Sequence, residues 1–110
     1  MVNYGDNRKE EGTSQFVRFR RFVNSIAVGD CFSRMQMLQA VYGDYHGYDK
    51  FNTSADTYRN ICEKSGYLSK VVDSNGNPKL GRFRVMMHIS GECADIKREY
   101  ARIVDERRGR

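Results

Sequence analysis

The pair Asn75-Gly76 narrows the fold more than any other feature. It lies between two short runs rich in β-formers, and both of its residues tolerate positive φ, which a tight hairpin turn demands. One run covers residues 69–72, the turn 73–78, and the chain returns through Gly81 to Ile89. On the return, Phe83, Val85 and Met87 alternate with Arg82, Arg84, Met86 and His88, so one face is apolar and the other basic or mixed. A hairpin over 69–89 is predicted.

Helical periodicity fills most of the remaining chain. After a polar arm at residues 1–13, Thr13 or Ser14 can cap a helix running to about Ser25, with Phe16, Phe19, Val23 and Ile26 on one face. Val28 to Phe32 reads as a turn and a short extended piece. Ser33 then caps a second helix, Arg34 to Tyr42, with Met35, Leu38 and Val41 as its buried stripe and Gly43 as its stop. A polar-aromatic loop holding Tyr45, Tyr48 and Phe51 leads to a third helix, 54–65. Thr53 or Ser54 caps it, Ala55, Tyr58, Ile61 and Cys62 face inward, and Gly66 closes it. A charged fourth helix, from Glu92 to about Arg107, carries Ile96, Tyr100, Ile103 and Val104. That stripe either lies back across the domain or pairs with a second copy in a homodimer. The four methionines Met35, Met37, Met86 and Met87 read as core filler.

With 110 residues the chain makes one domain at 14–90, flanked by the arm and by a helix in 91–110. No apolar run is long enough to span a membrane, and the first residues lack an apolar signal core, so a cytoplasmic or nucleoid location is expected. Cys31, Cys62 and Cys93 form no CxxC pair and are expected to be reduced thiols. His46 and His88 stand apart, so no metal or cofactor is expected. The carboxylates Asp44, Asp49, Asp56 and Glu63 are tied together by no catalytic motif and no phosphate-binding loop occurs, which argues against an enzyme. The net charge of +5 suits a polyanionic partner. Residues 71–90 hold part of that excess, Lys79, Arg82 and Arg84 against Asp73.

The order helix, short strand, helix, helix, hairpin resembles a winged-helix domain, an α+β and mostly helical fold of three helices and a β-hairpin wing, here with an added C-terminal helix. The run from Thr53-Ser54-Ala55-Asp56 through Lys64-Ser65-Gly66-Tyr67-Leu68 is similar to the recognition helix and exit of winged helix-turn-helix regulators. The connection over 43–52 is longer than the roughly three- or four-residue turn of a compact helix-turn-helix. The resemblance implies transcription regulation through double-stranded DNA, with helix 54–65 in the major groove and Ser54, Asp56, Thr57, Arg59 and Asn60 on a polar leading edge. In that docking Arg59 reads guanine and Asn60 adenine, Lys64 and Lys70 lie nearer the backbone, and Lys79, Arg82 and Arg84 grip flanking phosphates or enter a minor groove. Two other readings use the same scaffold. One is an adaptor or inhibitor that docks a protein partner; the other is an RNA binder stacking bases on the loop 45–51.

Overall fold

The computed structural model describes residues 15–43, 53–90 and 93–108. The arm, its cap at Thr13 or Ser14, and the aromatic loop at 45–51 lie outside them. The described elements run α1 (Gln15–Asn24), β1 (Cys31–Ser33), α2 (Arg34–Tyr42), α3 (Ser54–Ser65), β2 (Leu68–Val72), β3 (Pro78–Val85) and α4 (Ala94–Arg108). Among the described residues the fold is thus α+β, with four helices and one antiparallel sheet in the order β1-β3-β2.

Local chemistry sets the boundaries. Ser33 heads α2 with a capping box: its hydroxyl accepts from the Gln36 amide, and the Gln36 side chain accepts from the Ser33 amide at 2.8 Å. The α3 helix ends at Gly66, whose φ of 91° puts it in the left-handed region and returns its N–H to Cys62 and Glu63 carbonyls. Tyr67 and Leu68 follow and lead directly into β2.

The sheet buries one face. Phe32 pairs with Phe83 and Leu68 with Val85, and all four are buried. They close over Phe16, Phe19 and Val23 of α1, Met37, Leu38 and Val41 of α2, and Ala55, Ile61 and Cys62 of α3. The α2 stripe differs from expectation. Leu38 and Val41 are buried as expected, but the third member of the stripe is the fully buried Met37, whereas Met35 is 51% exposed. Met86 and Met87 also lie beyond the end of β3 and are about half exposed, so of the four methionines only Met37 fills the core. Asn24 ties the segment after β3 to α1 by exchanging two 2.8 Å hydrogen bonds with the backbone of Ile89.

The apolar stripe of α4 lies back across the domain. Ile96 is buried, Tyr100 and Ile103 pack against the core, and the Tyr100 ring stacks on Tyr58 of α3 with centroids 4.3 Å apart. This leaves α3 between two neighbours, α4 on one flank and the β2–β3 hairpin on the other.

Candidate nucleic-acid interface

The first turn of α3 is occupied from within the fold. The Thr53 hydroxyl accepts from the Asp56 amide at 3.2 Å, and Asp56 Oδ2 accepts from the Thr53 amide at 3.0 Å. The Ala55 amide donates to the Tyr42 hydroxyl and the Thr57 amide to the Thr53 carbonyl, both at 3.2 Å. The Ser54 hydroxyl accepts from the Tyr100 hydroxyl at 2.9 Å. The helix start therefore turns its amides to protein groups and not to an outside anion. Asp56 and Thr57, expected on an exposed leading edge, are 5% and 6% exposed, which corrects that placement.

Asp56 is the centre of a charge network. Burial pushes its carboxyl pKa up, but two 2.7 Å hydrogen bonds from Arg34, the Thr53 amide and hydroxyl, and the Arg34 charge outweigh this. They hold it below its ordinary value of 3.8. Arg59 Nε lies 3.9 Å from Asp56 on the other side, while the Arg59 guanidinium pairs with Glu63 and sits 4.4 Å above the Phe83 ring. A cation paired and stacked in this way is held in the fold, so Arg59 is not the outstretched base reader that its position on the helix suggested. Its i,i+4 spacing to Glu63 is the sequence signal for that pairing.

The second half of α3 does reach solvent, at Asn60 and Lys64. Toward the hairpin, Arg59, Asn60 and Glu63 border a cleft whose other wall carries Lys70 and Lys79, with Phe83 between. Toward α4, Asn60 and Lys64 border a second cleft walled by Asp95 and Glu99. The Glu99 pKa is lowered, first by its hydrogen bond from Arg102 and to a smaller extent by Lys64. One flank of α3 is thus cationic and the other acidic.

The remaining two predicted cations are elsewhere. Arg82 pairs across the sheet with Ser33, and Arg84 with Cys31 and Ser69, so both project from the face opposite the buried Phe83. Arg84 also donates to the Gly29 carbonyl at 2.8 Å. The fold therefore gathers Asn60, Lys70 and Lys79 at one cleft and sets Lys64 at the other, beside Asp95 and Glu99. It places Arg82 and Arg84 on the outer sheet face and draws Ser54, Asp56 and Thr57 inward.

One feature of the hairpin was not singled out from the sequence. Lys70 is level with Phe83, yet Val72 is level with Pro78, so β3 carries extra residues that bulge between those pairs. Gly81 adopts φ 72° within the bulge, and Leu80 stands 96% exposed. Leu80 lies on the opposite parity from Phe83 and Val85, and a glycine follows it in a strand-like run. Those two signs mark a bulge in a sequence.

Among the described residues no cluster of three His, Cys, Asp or Glu side chains could hold a metal ion, and no helix is long and apolar enough to cross a membrane. Burial pushes the Cys62 thiol up to about 12, away from any thiolate chemistry near neutrality. Comparison with protein families, with curated proteins and with solved structures finds no match to this chain.

Proposed function

We propose that this chain is a winged-helix-type domain that binds double-stranded DNA in a regulatory role such as transcription control. Its docking surface is the hairpin and the exposed second half of α3. The single observation that carries this reading is a run of cations without acidic partners. Among the described residues, Lys70, Lys79 and Arg82 are exposed and form no ion pair. By contrast Arg34, Arg59 and Arg102 each have a carboxylate. Neutralising duplex phosphates releases counterions, and cations already paired within the protein contribute little to that release. Asn60, beside Lys70 and Lys79, is the side chain placed to test base edges, since an amide can pair with adenine in two hydrogen bonds.

A salt titration of duplex affinity by fluorescence anisotropy tests the reading. Wild-type affinity is expected to fall steeply with salt. Lys70→Ala/Lys79→Ala should weaken all duplexes alike and reduce the logarithmic salt slope by about two. Asn60→Ala should leave the slope intact and reduce discrimination between sequences. Absent or salt-insensitive binding would instead favour an adaptor that docks a protein.

A further inference from the structure

We propose that Leu80 is an apolar wedge that enters a minor groove and partly unstacks one base step. In this docking Lys79 and Arg82 hold the phosphates on either side. The inference rests on the duplex-binding reading above and adds a mode of engagement to it.

Leu80 differs in kind from the other exposed apolar side chains. Val28, Met35, Met86 and Met87 are about half covered by the body of the protein, whereas Leu80 is 96% exposed. It is presented by the bulge in β3, and bulges serve to re-aim side chains. At Gly81 an added Cβ would come no nearer than 4.0 Å to Arg34, so the dihedral, and not crowding, calls for glycine there. The backbone is thus shaped to hold Leu80 away from the core. Val72, 53% exposed, pairs with Pro78 at the same end of the ribbon and widens the apolar tip.

The chemistry around that tip indicates its occupant. Lys79 and Arg82 flank Leu80, and residues 78–85 contain no acidic side chain. The nearby Asp73 is turned to the hairpin, accepting from the Asn75 amide at 2.8 Å and the Asn77 amide at 3.0 Å. An apolar point between two cations fits a base step bordered by two phosphate strands. Wedges of this type part base pairs from the minor groove and kink the duplex.

The test uses the full chain and a duplex with 2-aminopurine at a flexible TA step and a fluorophore pair at its ends. Wild type is expected to raise 2-aminopurine emission and shorten the end-to-end distance. Leu80→Ala should melt with wild type, because nothing packs on Leu80, and should keep the salt slope. It should also lose the emission change and bind the flexible duplex about tenfold more weakly. Leu80→Phe should retain the unstacking. Duplex binding by wild type with no change in emission or distance, or identical responses from Leu80→Ala, would overturn the wedge and leave the duplex-binding reading standing. If wild type bound no duplex at all, both would fall.

Discussion

Asp56 brings a charge into a site that is 5% exposed, and its carboxylate is tolerated there because Arg34 meets it with two parallel hydrogen bonds. Removing one partner of such a pair leaves a buried charge uncompensated, which costs far more than the intact pair contributes. Arg34→Ala is therefore expected to lower stability by about 3 kcal/mol at neutral pH, read from urea unfolding. The pH dependence follows from the direction of the shift. With its folded pKa below 3.8, Asp56 contributes stability that is present above that value and is lost as pH falls through the folded pKa. Without Arg34, burial opposes ionisation with less to counter it, and that acid limb should shrink. The gap between wild type and variant should then narrow at about pH 3. A gap that stayed constant across this range would show that Arg34 acts by packing alone. The inward turn of Asp56 was half legible. Thr53 and Asp56 carry capping-box spacing, but the partner that draws the carboxylate inside lies 22 residues away on α2 and leaves no local pattern.

At the scale of elements, α4 is docked by an aromatic contact and a hydroxyl pair. Tyr100 stacks on Tyr58 and donates to Ser54, and Ile96 is buried below it. Tyr100→Phe should cost about 1 kcal/mol, the worth of one hydrogen bond. Tyr100→Ala should cost about 3 kcal/mol through lost ring burial and should loosen α4 from α3. Thermal melts supply the two values, and hydrogen exchange of the α4 amides shows whether the helix is released. Equal melting of the two variants would mean that the stack contributes nothing beyond the hydroxyl. The helices themselves were readable because their caps are local: Ser33 with Gln36, Thr53 with Asp56, and Gly66 after Ser65. What could not be read was the phase of α2. Apolar residues at 35, 37, 38, 41 and 42 cover an arc of roughly 160° with Met35 and Met37 at its two edges, and the pattern alone does not decide which edge, here that of Met37, enters the core. The place of the hairpin turn was legible from Asn75-Gly76, but not its type: Gly76 takes a positive φ of 85° and Asn75 does not. The shared outward face of Arg82 and Arg84 was legible from their alternation with Phe83 and Val85, whereas the bulge in β3 between Pro78 and Phe83 that interrupts this alternation was not.

Across the whole molecule, α3 divides surfaces of opposite sign. Lys70 and Lys79 stand on the hairpin flank, while Asp95 and Glu99 stand on the α4 flank beside Lys64. A phosphate strand approaching α3 is attracted on one side and repelled on the other, over separations comparable to the roughly 8–10 Å Debye length near physiological salt. On the proposed duplex-binding reading, the asymmetry would orient a docked duplex toward the hairpin and would make Asp95 and Glu99 a brake on affinity as well as on the wrong orientation. Asp95→Asn/Glu99→Gln is expected to strengthen duplex binding about threefold at low salt, with the gain fading as salt rises. Lys70→Glu/Lys79→Glu should abolish binding, and Arg84→Ala should change little, since the Arg84 guanidinium already donates to the Gly29 carbonyl. Anisotropy titrations at two salt concentrations separate these cases. If the acidic pair proved neutral and Arg84 dominant, the duplex would be docking on the outer sheet face, and the cleft beside Asn60 would lose its claim to the DNA.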